Sequence, residues 1–444
     1  MTHMHPGLPF LFDDVTENMV GLKQPNGAEK LLLGPMANGD IDPVSAAAHA
    51  LEHAGMGVNP GLSKYTGIVA DRTRLCYNLL TNLKQGGGLL GFYAMDDITP
   101  ATELQIVDVG FSSKASGIDQ FDLTTHYAIE YAGVVTPIKY SGNSTGTVAA
   151  GGTIVSDVYR PPVTIPRGAR ALLHVYKTST VGLPMVGGVN IPYCDHNAGD
   201  KFEYAASGLT DKVGIGGWTN TDSTGGFSSP PFAIIGKTAR RSFAMVADSR
   251  GTGILDHWGN YRRHRGVLER SICPYFGNTS ISQSSMSIAT LIGQPLMLAA
   301  ANAYASDIII QMGTNDLGAG VSTIKSRLET LIAAFPGKRV WVTTINPITT
   351  STDSWATLAN QTVGANEADR VGINYLIRGN AIAGMYGCLD TADVCEMARS
   401  GKWNTAYTSD PSQYVAFEGL HETSLMCQAI AQARVIDPLR LGYT

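Results

Sequence analysis

From about residue 240 to the C-terminus, short apolar runs alternate with stretches whose apolar residues recur at helical spacing, and few folds accept that rhythm. Phe243–Ala247, Asp307–Gln311 and Val340–Ile345 read as strands. Between the last two, Ile324, Leu328, Leu331, Ile332 and Phe335 form one apolar stripe, opened by Ser322 as an N-cap and stopped at Pro336-Gly337. Strand and helix in alternation predict a doubly wound α/β domain over residues 236–444, a parallel sheet covered by helices on both faces. Such a sheet takes its ligands beyond the C-terminal ends of its strands, so the residues that follow each strand are where chemistry is expected.

Upstream the pattern is different. Residues 93–235 carry short alternating runs such as Leu104–Phe111, His126–Tyr131 and Ala171–Val175, separated by Gly, Ser, Asn and Pro clusters, which predicts a β-sandwich or jelly roll. Fifty glycines in 444 residues agree with a turn-rich portion. Residues 1–92 look mixed, with helices expected near Pro43–Ala54 and Ile68–Leu83, the second ended by Gly86-Gly87-Gly88. The stretch Gly216–Pro231 reads as a long loop leading into the last domain. The opening MTHMHPGLPFLFDD has no basic start and an apolar run broken by proline, so no secretory signal is expected. The longest apolar tract, Leu291 to Met312, contains Gln294, Pro295 and Asp307, which argues against a membrane span. A net charge of -5 offers no basic field for nucleic acid. The six cysteines lack zinc-site pairing; Cys388 and Cys395 are near enough in sequence to bridge, but core thiols are the simpler reading.

Three strand ends carry suggestive side chains. Asp248-Ser249-Arg250-Gly251 follows the first strand, placing a hydroxyl in the crevice beside backbone N–H groups. Gly313-Thr314-Asn315-Asp316 follows the second and supplies an amide donor suited to an oxyanion. Glu418-Gly419-Leu420-His421 precedes a terminal helix docked through Leu425, Ala429, Ile430 and Ala433. A carboxylate three residues before an imidazole can reach back to Nδ1, so that Nε2 faces the serine. Each tripeptide alone reads as a turn or a cap; the three in order are more than that.

These residues resemble the SGNH (GDSL-like) hydrolase superfamily over about residues 240–444. The family's Gly-Asp-Ser appears as Ala247-Asp248-Ser249, its Gly-x-Asn-Asp as Gly313 to Asp316, and its Asp-x-x-His as Glu418 to His421. The resemblance implies a flavodoxin-like sheet and a serine esterase with Ser249 as nucleophile, His421 as base and Glu418 as orienting acid. It also implies an oxyanion hole made by the N–H of Ser249, a backbone N–H at Gln283 or Ser282, and the Asn315 side chain. Asp248, Gly313 and Asp316 support it, and neither metal nor organic cofactor is called for. Ala247 and Glu418 depart from the pattern, and Asn278–Gln283 lacks the glycine that usually supplies the second backbone donor.

Other signals carry less. His49 and His53 match an inverted zinc-peptidase motif without a third ligand. Gly142 to Gly146 matches a nucleophile elbow but is followed by no helix, so a hairpin turn is expected. Arg262, Arg263, His264 and Arg265, with Trp258 and Tyr261, read as a solvated helical face or a rim for an acidic or sugar substrate. No function is attached to His3 and His5. A β module ahead of such a hydrolase resembles carbohydrate-active esterases, including those of phage tails. The expected substrate is therefore a small ester, above all an O-acetyl group on a glycan. Location in the cytoplasm or on a phage particle fits the missing signal, and a homo-oligomer fits the tail-protein layout. Two other readings stay open: a lipase or thioesterase for longer acyl chains, and a glycan-binding structural protein whose hydrolase domain has decayed.

Overall fold

A computed structural model describes the strands His3–Met4, Leu11–Phe12, Gly21–Lys23 and Glu29–Leu31, and residues 63–187, 193–221, 226–256, 264–405 and 418–443. The chain divides into two compact units, Met1–Leu62 with Thr444, and Ser63–Tyr443. In the first, the four short strands pair as two antiparallel hairpins. The helix expected at Pro43–Ala54 lies outside the described residues.

The second unit contains a six-stranded parallel sheet: β1 (Thr73–Arg74), β2 (Ser242–Ala247), β3 (Gly277–Ser282), β4 (Asp307–Gln311), β5 (Arg339–Thr343) and β6 (Gly387–Leu389), in the order β6-β5-β4-β2-β3-β1. β2 and β3 are buried along their whole length; β2 is almost wholly apolar, as a sheet covered on both faces requires, whereas β3 buries Asn278, Thr279, Ser280 and Ser282. From β2 the chain first crosses to β3 on one side and then returns to β4 on the other. The order therefore reverses at β2, and the place beyond its C-terminal end is where such sheets take their ligands. Ser249 stands there.

Helices cover the sheet. Val321–Ala333 starts after Gly320 rather than at the Ser322 cap, and Ile324, Leu328, Leu331, Ile332 and Phe335 are all buried. The helix Ser424–Gln432, followed by the short helix Pro438–Leu441, docks through Met426, Cys427, Ala429 and Ile430, leaving Leu425 half-buried and Ala433 exposed. The face is thus rotated by one residue from the expected stripe.

Antiparallel sheets make up the rest. One joins Val134–Pro137, Leu123–Tyr131, Arg170–Thr178, Gln85–Tyr93 and Lys201–Ala205, with Thr145–Val148 also on Leu123–Tyr131; another joins Thr153–Val155, Gln105–Val109, Ala233–Thr238 and Tyr65–Ile68. Leu90, Tyr127, Leu173 and Val175 of the first share a core with Ile106 and Ile234 of the second. Three expectations change here. The stretch Ile68–Leu83 is not helical but supplies the end of Tyr65–Ile68, then Thr73–Arg74 and Asn78–Leu80, each paired with a strand far along the chain. Distant partners override local propensity. Gly86, Gly87 and Gly88 end no helix; they lie inside Gln85–Tyr93, where a Cβ on Gly88 would sit 2.1 Å from the Lys201 carbonyl oxygen. A boundary at residue 92 therefore falls within a strand.

All six cysteines carry free thiols, Cys388 and Cys395 included. Among the described residues no helix is long and apolar enough to cross a membrane.

Candidate active site

The turn that carries Ser249 follows from its residues. Asp248 follows β2 in extended conformation and caps the short helix Ser249–Thr252, its side chain accepting from Arg250 N at 3.0 Å. The helix stops at Gly253, whose φ of +68° is the left-handed value that favours glycine. Gly251 is needed for a different reason: a Cβ there would lie 2.1 Å from the Ala247 Cβ. Ala247 is thus accommodated by a glycine four residues on.

His421 reaches Ser249 across 172 positions of sequence, with Nε2 and Oγ 2.7 Å apart. Its Nδ1 is hydrogen-bonded to Glu418 Oε1. The serine and the histidine are buried, while the Glu418 side chain is 40% exposed. The loop that carries both groups is pinned at Gly419. Its carbonyl accepts from Thr349 N at 3.0 Å and Trp403 Nε1 at 3.1 Å, and a Cβ would meet the Thr349 carbonyl oxygen at 1.8 Å.

Gly313, at φ +117°, turns the chain after β4 into the short 3-10 helix Thr314–Asp316. Asn315 is exposed there and gives one amide hydrogen to the Met286 carbonyl at 3.0 Å, leaving the other for a ligand. Asp316 is buried, accepts from Ile288 N at 2.8 Å and pairs with Arg327 at 2.9 Å, tying this turn to the one after β3.

Gln283 stands at the end of β3 as expected, but its backbone N–H donates to the Ala247 carbonyl at 3.1 Å and is not free for an oxyanion. Its side chain accepts from Ser113 Oγ at 3.2 Å. The parallel ladder, continued one residue past β3, claims the donor. The Ser249 N–H, in a first helical turn, belongs to the groups a helix leaves without an internal partner.

Burial pushes the Asp248 carboxyl up to about 6, against the opposing pull of Arg250 and of the backbone bond from Arg250 N. Its second oxygen, Oδ2, has no hydrogen-bond partner.

The remaining sequence signals part company with this site. His264 is buried with Nε2 2.8 Å from Asp71 Oδ2, and Arg265 is buried with its N–H on Glu269, so neither belongs to a solvated face. Trp258, Tyr261, Arg262 and Arg263 lie outside the described residues, as do His49, His53 and the side chains of His3 and His5. Among the described residues no three His, Cys, Asp or Glu side chains group as metal ligands. Gly142 sits at φ +81° in a turn bridging Tyr140 and Asn143, between two strands and before no helix. Two buried charges that sequence reasoning passed over, Arg250 and Glu422, directly follow the serine and the histidine. Their adjacency to both residues was the available signal.

No protein-family model matches the chain, and no curated protein does. Solved structures do. An acyltransferase and GDSL-like lipases are among the structures the chain is similar to. One from Bacteroides thetaiotaomicron covers 45% of this chain and 88% of its own, at 13% identity and a TM-score of 0.32. A salicylyl-acyltransferase from a tetracycline biosynthetic pathway covers 85% of this chain and 98% of its own, at 11% identity and a TM-score of 0.31.

Proposed function

We propose that this chain is a serine ester hydrolase in which Ser249 attacks, His421 moves the proton and Glu418 orients the imidazole. The observation that carries the reading is the continuous hydrogen-bonded line from Glu418 Oε1 through both nitrogens of His421 to Ser249 Oγ, at the strand end where the sheet order reverses. His421 Nε2 takes the Ser249 proton as Oγ bonds to the ester carbonyl carbon. The negative charge on the carbonyl oxygen rests on the Ser249 N–H and the second amide hydrogen of Asn315. The imidazolium, held by Glu418, returns its proton to the leaving alcohol. Water, deprotonated by His421, then releases the acid from the acyl-serine.

The proposed substrate is a short acyl ester, above all an O-acetyl group on a carbohydrate. The antiparallel sheets are read as the sandwich that holds the glycan chain while the crevice takes its ester. On this proposal the chain has the layout of a carbohydrate esterase, including those carried on phage particles.

The test is hydrolysis of p-nitrophenyl acetate, butyrate and octanoate by wild type and Ser249→Ala, with and without chelator. Wild type should cleave the acetate best, chelator should change nothing, and the variant should lose roughly a thousandfold or more in kcat. A preference rising with chain length would replace the acetylesterase by a lipase or thioesterase. Equal inertness of both proteins would sink the enzyme reading and leave a glycan-binding protein.

A further inference from the structure

Resting on that reading of Ser249 and His421, we propose that the Arg250–Glu422 ion pair is the positioning device that holds nucleophile, base and oxyanion donor in one geometry. Arg250 is the residue after the nucleophile and Glu422 the residue after the base, and their side chains meet with 2% of each exposed. Arg250 Nη1 donates to Glu422 Oε1. Its Nε donates to Thr314 Oγ1 at 3.2 Å, and Thr314 is the neighbour of Asn315. Its Nη2 donates to the carbonyls of Pro347 at 3.1 Å and Asn346 at 3.4 Å, in the loop beyond β5. Trp403, whose indole N–H holds the Gly419 carbonyl, lies with its ring 5.8 Å from the guanidinium carbon. Glu422 is fixed in turn by Asn346 Nδ2 at 2.6 Å.

One planar fork thus touches the chain turns that follow β2, β4 and β5 and the loop of the base, each next to a residue of the proposed chemistry or next to its support. Stability alone does not account for the pair. Two charges removed from water gain little over apolar side chains of the same volume, so their use here calls for another reason. A guanidinium supplies that reason, because its donors leave in fixed directions and bind several acceptors at once, which a lysine ammonium on a flexible stem does not do. Reacting groups displaced by about an ångström lose on the order of a hundredfold in rate.

The experiment compares wild type, Arg250→Lys, Glu422→Gln and the apolar double variant Arg250→Met/Glu422→Leu. Thermal midpoint, kcat and KM on p-nitrophenyl acetate, and the rate of Ser249 labelling by a fluorophosphonate are measured for each. The double variant is expected to fold with a lowered midpoint, because Asn346, Thr314 and the Pro347 carbonyl lose their buried partners. Its kcat and labelling rate should fall about a hundredfold while KM stays within about threefold. Arg250→Lys keeps the charge and loses the fork, and should lose at least about tenfold in kcat in a folded protein. A folded double variant with wild-type kcat overturns the proposal. If the double variant fails to fold, Arg250→Lys decides, and wild-type kcat there overturns it equally. A wild type that neither hydrolyses the ester nor takes up the fluorophosphonate removes the serine-hydrolase reading itself, and this inference with it. An active wild type with unimpaired variants removes this inference alone.

Discussion

Asp248 is one carboxylate between two demands. Its Oδ1 caps the short helix that carries Ser249, yet the carboxyl is fully enclosed, and burial pushes it up to about 6, above the ordinary aspartate range. The sign follows from linkage. Because the folded value is raised, the contribution to stability is fully present below about pH 4, where folded and unfolded chains both hold the proton. It is lost as pH rises through about 6, where the folded chain must bury the charge. The shift corresponds to about 3 kcal/mol. Asp248→Asn keeps an oxygen for the Arg250 N–H and carries no charge at any pH. Its stability relative to wild type should therefore increase by about 3 kcal/mol between about pH 4 and about pH 7, as read by urea unfolding at each pH. A flat difference across that range would mean that Asp248 ionises in the fold as it does in an unfolded chain. The identity of Ser249, Asn315 and His421 as candidates was legible from residue type and strand-end placement. The fate of the Gln283 N–H was not, because which ladder bonds continue past a strand end depends on the neighbour's register.

Elements here are decided by their partners as much as by their own composition. The strand Gln85–Tyr93 opens with three glycines after its first residue, a pattern that weakens a strand locally. It forms because Arg170–Thr178 lies along one edge and Lys201–Ala205 along the other. Gly88 is where the approach is tightest, with backbone and not a flexible side chain in the way. Gly88→Ala should destabilise the protein by about 1–3 kcal/mol or more, visible as a lower urea midpoint at unchanged slope. Gly293→Ala is the control: φ there is -75° and the closest atom stands at 3.4 Å, so the change should stay within about 0.5 kcal/mol. Equal midpoints for the two variants would show that strand Lys201–Ala205 yields freely. By contrast, the helix Val321–Ala333 was legible from its stripe alone, since 3.6-residue periodicity is a local property that burial against any apolar surface satisfies.

At the scale of the molecule, the α/β part and the antiparallel sheets do not separate at residue 235. Ile68, Val107, Phe111 and Phe232 lie in the same core cluster as Ala244, Val246 and Ile281 of the parallel sheet. β1 joins that sheet from the N-terminal side of the chain, and Asn278 N donates to the Ala70 carbonyl at 3.0 Å. Residues 236–444 expressed alone should therefore unfold non-cooperatively and bind a hydrophobic dye, whereas residues 63–444 should give one cooperative transition. A sharp urea transition from the shorter piece would show that its core closes without the antiparallel sheets. Period, turn chemistry and the three short blocks were enough to point to the α/β class and to Ser249, Asn315 and His421 as candidates, of which Ser249 and His421 are hydrogen-bonded to each other. Those are consequences of local spacing and of the rule that parallel sheets open at their C-terminal ends. Everything that depends on a partner far along the chain was settled by packing alone: strands where a helix was expected over residues 68–83, a ladder bond that occupies Gln283, and a guanidinium buried between four turns. Such contacts join residues as far apart along the chain as Thr73 and Thr279, and local sequence carries no signal of which distant group will satisfy a buried donor.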